Sequence, residues 1–289
     1  MPLPETQLPA LNKPMSKICI LTDSTAQYTQ AKYPGHERVH VLPFEIQTCD
    51  RAGEHSRSRQ VQNQRLIPPS AQDFEQAFAR LSREYDMIFV LTMSARLNPA
   101  HANALDAVRR FSNHARVNVI DTQTTSIGLG LLVQAAAAAA AEGAAADEIE
   151  QRMRASIPHI YMLFCIPELT TLACSGYMDY SQALVAEMMG LLPVFSIEEG
   201  RLTPIEKVRT RRHLFESFLE YINEFDSPAH IALIRGGNQG TIRARPVRMY
   251  VQETFPETPF SEHAISPPLA SLFGQQATGL IIYENPDPR

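Results

Sequence analysis

Tryptophan is absent from this sequence and cysteine is scarce: four in 289 residues, at Cys19, Cys49, Cys165 and Cys174. No two of them form a Cys-x-x-Cys pair, which excludes a zinc ribbon or a dithiol redox motif of that type. Cys19 and Cys165 sit inside apolar runs, as buried free thiols do. The pattern fits a reducing, cytoplasmic compartment rather than a disulfide framework. Long hydrophobic runs are missing too, so no segment is expected to insert stably in a membrane. A surplus of one charge is also lacking. The 26 basic and 31 acidic residues leave a net charge of −5, without the basic excess that broad nucleic-acid binding requires. Residues 1–16 hold four prolines and no continuous apolar core, so they read as a flexible leader and not as a secretory signal.

What is present suffices for a core, with 44% of residues apolar and 20% charged. Short β-rich runs, "ICILT" (18–22), "VHVLPFEI" (39–46), "MIFVLT" (87–92) and "VNVI" (117–120), alternate with helical patterns. Phe74, Phe78 and Leu81 repeat at helical spacing behind Ser70 and Asp73, a capping pair. Asn98 and Pro99 open another helical pattern over 98–112. Residues 128–156 read as two helices parted near Gly143. The first carries the alanine run Ala135–Ala141, which suits close packing between layers. The alternation predicts an α/β domain over 17–160, with a mostly parallel sheet flanked by helices.

From residue 161 the pattern changes. A strand (161–167) precedes a helix (176–192) bearing Met188 and Met189. A hairpin (193–208) turns at Glu198-Glu199-Gly200, and an amphipathic helix (211–225) and a strand (230–236) follow. Next come a helical stretch interrupted at Pro246 and a final strand (278–284). This mixture predicts a second, α+β domain over 161–289.

In an open α/β sheet, ligands bind beyond the carboxyl ends of the strands. Three such ends are rich in hydroxyls: Thr22-Asp23-Ser24-Thr25, Thr92-Met93-Ser94 leading to Asn98, and Asp121 through Thr125 and Ser126. Hydroxyls beside the first N–H groups of a helix suit a small anion such as a carboxylate or phosphate. The same residues suit plain helix capping, and Asp23 and Asp121 suit bonding of loop N–H groups better than acid–base work. "HERVH" (36–40) matches a zinc-protease spacing by letter. His40, however, falls in a β-rich run, where the two rings stand apart, so neither a metal site nor a cofactor is expected. "RGGNQG" (235–240) reads as a turn, and the basic cluster 207–213 as a solvated helix start. Met188, Met189, Leu191 and Leu192 suit either plain core or the wall of an apolar ligand site.

"ILTDSTAQ" (20–27), "VLPFEI" (41–46), "VIDTQTTSIGLG" (119–130) and "EEGRLTPIEKVRT" (198–210) stand in the order and spacing seen in DegV-like proteins. The chain resembles that family from Lys17 to Glu284. The resemblance implies two domains with a long-chain fatty acid between them, its carboxylate held by hydroxyls. It implies a carrier rather than an enzyme, with a separate fatty-acid kinase phosphorylating the bound acid. Ser94 matches the carboxylate-binding serine, and Asn98 stands where a second serine is usual, still able to donate through its amide.

The sequence also departs from the family. Leu66-Ile67 replace a Thr-Ser pair, Tyr177 replaces the arginine of a Gly-Gly-Arg motif, and Leu272 replaces the histidine of a His-x-Gly-Pro-Gly segment. Arg96 offers a cation either to the headgroup or to an exposed ion pair. These changes bear on phosphoryl transfer and kinase docking more than on binding an apolar chain. The expected headgroup contacts are therefore Ser94, Arg96, Asn98, Thr125 and Ser126, with Asp23 and Ser24 shaping the loop. Met188, Met189 and Leu192 are expected along the tail. A module that has lost its lipid, or a hydrolase or transferase on acyl esters, are the alternatives.

Overall fold

The computed structural model describes residues 17–49, 64–237 and 242–286, so the expected leader lies outside the described residues. The chain opens with β1 (Ile18–Asp23) and β2 (Val39–Leu42), then a short antiparallel pair, β3 (Glu45–Thr48) and β4 (Gln64–Ile67). There follow α1 (Ala71–Leu81), β5 (Met87–Thr92), α2 (Ala100–Arg110), β6 (Arg116–Asp121), α3 (Ser126–Glu142) and α4 (Ala146–Ser156). Strands β2-β1-β5-β6 form a wholly parallel sheet in that order. Every residue of β1 and β5 is buried, as unbroken apolar runs at the centre of a parallel sheet must be.

Local chemistry sets the boundaries. Ser70 Oγ accepts from the Asp73 N–H while Asp73 Oδ2 accepts from the Ser70 N–H, closing the capping box of α1. Gly143, at φ 86°, ends α3 in the left-handed region that a side chain resists. The run "VHVLPFEI" is not one strand. Pro43 has no N–H for the ladder, so β2 stops at Leu42 and β3 leaves the sheet to pair with β4.

The second half begins with β7 (Ile160–Cys165), α5 (Leu169–Cys174) and α6 (Tyr180–Met188). The hairpin β8 (Leu192–Glu198) and β9 (Arg201–Val208) precedes α7 (Arg211–Ile222) and β10 (Pro228–Arg235). The last elements are α8 (Ala244–Thr254), β11 (Phe260–Ala264), α9 (Pro267–Phe273) and β12 (Thr278–Glu284). The sheet runs β11-β10-β12-β7-β8-β9 and is mixed, with β10 and β11 its parallel pair. Pro246 does not interrupt α8. It is the third residue of that helix, where an N–H has no partner within the helix. The turn joining β8 to β9 has Glu199 at φ 48° and Gly200 at φ 80°, the paired left-handed residues of a two-residue hairpin loop.

Helix α3 lies between the two sheets. Its Ala136, Ala139 and Ala140 share one apolar cluster with Ile18, Ile20 and Phe89 of the first sheet, and with Met162, Phe164 and Ile281 of the second. Methyl side chains let the layers approach closely. Helices α1 and α2 cover the other face of the first sheet through Phe74, Phe78 and Ala104. Helices α7 and α8 cover that of the second through Phe218, Ile222 and Val251.

Candidate functional site: a polar sheet edge and an apolar groove

Because the first sheet is parallel, the ends of β1, β5 and β6 lie along one edge, and the three hydroxyl-rich loops meet there. Most of their polar atoms are committed to structure. Asp23 is fully buried. It accepts from the Thr25 N–H at 2.9 Å, the Thr25 hydroxyl at 2.6 Å and the Met93 N–H at 2.6 Å. Burial pushes its carboxyl above the ordinary range, and those hydrogen bonds pull it back. The Ser24 hydroxyl accepts from the Phe44 N–H at 2.9 Å. Thr22 donates to the Leu91 carbonyl at 2.9 Å and Thr122 to the Thr92 carbonyl at 2.7 Å. Asp121 Oδ1 accepts from the N–H groups of Ala95 and Gln123. Asn98 Oδ1 accepts from the Ala100 N–H at 3.1 Å, so it caps α2 from one residue before Pro99.

Ser94 is the junction between the two halves. It is completely buried, and its hydroxyl donates to the Gly200 carbonyl at 2.7 Å while accepting from the Arg96 N–H at 3.1 Å. Gly200 is buried against it: a Cβ there would lie 2.4 Å from Ser94 Oγ. Arg96 itself points to solvent. His101 reaches Thr92 Oγ1 at 3.4 Å, and burial holds its imidazole below the ordinary value. Thr125 Oγ1 is buried without a partner at the start of α3. Ser126, at φ 57°, donates to Gln27, whose amide reaches the Ala264 carbonyl at 2.8 Å and forms a second tie between the halves.

The tail-lining residues expected from α6 fall elsewhere. Met188 and Met189 are 80% and 60% exposed, so neither belongs to the core. Leu192 packs with the cluster under α7. The apolar space lies on the opposite face of the same hairpin, in a groove of about 690 Å³ between α5, α6 and β8–β9. Leu169, Leu172, Tyr177, Phe195, Leu202 and Pro204 are among its walls, and the Tyr177 hydroxyl donates to the Leu97 carbonyl. In the hairpin register, Phe195 pairs with Pro204 and Pro193 with Lys207. The groove thus runs from Lys207 at the hairpin base toward Leu202 near its tip. The alternation Pro193, Phe195 was the sequence signal for a second apolar face, hidden because the intervening Val194 faces core. Beside the hairpin, where the two halves of the chain adjoin, a cleft of about 600 Å³ is lined by Glu198, Glu199, Glu224 and Glu284 with Tyr161 and Tyr221. Among the described residues no cluster of His, Cys, Asp and Glu could hold a metal ion, and no helix is long and apolar enough to cross a membrane.

Fold and groove together define a two-domain α/β protein, with one parallel and one mixed sheet, built beside an apolar space of small-ligand size. The sequence matches the family described as "Uncharacterised protein, DegV family" over residues 17–285, and the chain belongs to that family. It is 23% identical over 279 residues to a DegV domain-containing protein of Staphylococcus aureus, covering 93% of this chain and 99% of the relative. Among solved structures it is similar to the fatty acid binding DegV family protein of Streptococcus agalactiae. There the TM-score is 0.78 and the identity 21%, over 93% of this chain and 99% of that one. It is similar too to the Streptococcus pneumoniae fatty acid kinase B3 protein loaded with linoleic acid. In that case the TM-score is 0.76 and the identity 18%, over 93% and 100% of the two chains.

Proposed function

We propose that this protein is a lipid carrier that holds one long-chain fatty acid and performs no chemistry on it. The groove between α5, α6 and the β8–β9 hairpin carries this reading. Burying ten methylenes there is worth about 8 kcal/mol at about 0.8 kcal/mol each. Roughly half or more of that is offset by the cost of association, so ten methylenes alone correspond to about millimolar affinity, and each further buried methylene strengthens it several-fold. The solved relatives support the ligand class: one is named for fatty acid binding and another was solved with linoleic acid. The second is named as a fatty acid kinase component, which supports delivery of the bound acid to a separate kinase. Burial pushes the thiols of Cys19 and Cys165 up to about 12, and unreactive free thiols agree with a cytosolic carrier.

Native mass spectrometry after gentle purification tests the reading. A single adduct with the mass of a fatty acid is expected. Protein that emerges without lipid and fails to bind a fluorescent fatty acid would refute it.

A further inference from the structure

The two cysteines outside the apolar cores come from opposite halves of the chain and line one small pocket. Cys49 directly follows β3, Cys174 is the last residue of α5, and both are partly exposed. The pocket, of about 360 Å³, also has Thr48, Arg65, Ala173 and Ser175 among its walls. It lies at a seam between the halves. There β4 packs against α5, and Leu66 shares an apolar cluster with Leu169, Leu172 and Ala173.

The walls other than Arg65 are small side chains, and the Ser175 hydroxyl is buried there without a partner. A disulfide needs Cα atoms within about 7 Å of each other. Just beyond Cys174, at Gly176, the space where a side chain would stand is open, so the last turn of α5 has room to bring Cys174 up to Cys49. Cys19 and Cys165 are buried in the cores and do not compete for either partner.

We propose that Cys49 and Cys174 are a redox pair, which hydrogen peroxide joins into a disulfide between the two halves of the chain. One thiolate attacks a peroxide oxygen: an S–O bond forms, the O–O bond breaks, and the departing hydroxide takes up that thiol's proton as water. The second thiol attacks the resulting sulfenic sulfur: the S–S bond forms, the S–O bond breaks, and a second water leaves with the second proton. Two thiols are oxidised and one peroxide is reduced to two waters. In a reducing compartment such a bond is transient and reports oxidant.

The bond also reaches the groove. Leu169 and Leu172 of α5 are groove walls, and a helix tied to the first half yields less readily to a departing chain. On the lipid-carrier reading, on which this consequence rests, oxidised protein releases its fatty acid more slowly than reduced protein.

The test uses the full chain as wild type, Cys49→Ser and Cys174→Ser, each reduced and then treated with hydrogen peroxide. Non-reducing peptide mapping of wild type is expected to give a cross-linked peptide joining Cys49 to Cys174, which dithiothreitol separates. The melting temperature of wild type should rise by about 5 °C on oxidation, as a bond closing a long loop implies, and neither variant should show the rise. Release of a fluorescent fatty acid should slow several-fold in oxidised wild type and stay unchanged in both treated variants. Absence of the Cys49–Cys174 peptide, or cross-links only between separate chains, overturns the pair. A bond that forms without changing the release rate overturns its bearing on the groove. Protein that binds no fatty acid in either redox state refutes the carrier reading instead, and the mapping still decides the pair.

Discussion

The contact between Gly200 and Ser94 sets a measurable energetic coupling between the two halves of the chain. Gly200→Ala places a Cβ in a left-handed residue, at φ 80°, which costs about 1–2 kcal/mol. That Cβ also falls 2.4 Å from Ser94 Oγ, and forcing an extra methyl into a packed contact costs about a further 1–3 kcal/mol. Ser94→Ala alone removes the donor to the Gly200 carbonyl and leaves a buried acceptor unpaired, at about 1–3 kcal/mol. In the double variant the serine oxygen is gone. The next atoms, Ser94 Cβ and Gln123 Cα, both lie at 3.3 Å, so most of the steric cost vanishes while the backbone cost remains. The two substitutions should therefore destabilise by less than their sum, with a coupling of about 1–3 kcal/mol. Urea unfolding of wild type, both single variants and the double variant, followed by far-ultraviolet circular dichroism, measures it. Additivity to within about 0.5 kcal/mol would mean that the hairpin tip does not rest on Ser94, and the closed state of that junction would have to be abandoned.

Two further outcomes follow from buried groups. Burial raises the Asp23 carboxyl above its ordinary value of 3.8. The stability it contributes is then fully present below that value and is lost as pH rises through the higher folded one. Asp23→Asn has no such titration, so the margin of wild type over this variant should narrow as pH rises across the window. Urea midpoints taken through mildly acidic pH check this, and a margin that widens instead contradicts it. Among the thiols, Cys19 and Cys165 are buried and pushed up to about 12. Iodoacetamide at mildly alkaline pH should reach Cys49 and Cys174 first and the other two only in denaturant. Peptide mapping that finds early adducts on Cys19 or Cys165 would show the cores to be open.

Elements whose burial is one-sided or complete were legible in the sequence. The runs of β1 and β5, the Ser70–Asp73 capping box, the break at Gly143 and the turn at Gly200 all appear where their residues put them. Each depends on chemistry within a few positions. The misread elements depend on partners far along the chain. β11 has Glu262 tied to Arg235 and to Arg248, and His230 bonds to Ser261, so a polar stretch becomes a strand through distant ion pairs and hydrogen bonds. Pro246 reads as a breaker until its place in the first turn of α8 is known.

The site was legible in the same limited way. Counting hydroxyls picked out three loops that meet at one edge of the sheet, but not which oxygens remain available there. That depends on neighbours such as Leu91 for Thr22 and Gly200 for Ser94. α6 shows why the exposure of Met188 and Met189 was not legible. Its mostly apolar sequence carries no polar stripe to orient it. In the fold Ala183 turns inward while Val185 and Met188 turn to water, so hydrophobicity alone could not tell wall from surface.

The alanine-rich helix α3 serves as lining for both sheets at once. Neither half of the chain can therefore be exchanged freely for that of a relative. A chimaera joined near Ile160 would set a helix selected against one pair of sheets over a sheet from another parent, where a single added methylene on either side opens or jams the contact along its length. Divergence in this protein is expected to be coupled across that seam, with changes at Ala136 or Ala140 accompanied by changes in strands from both halves.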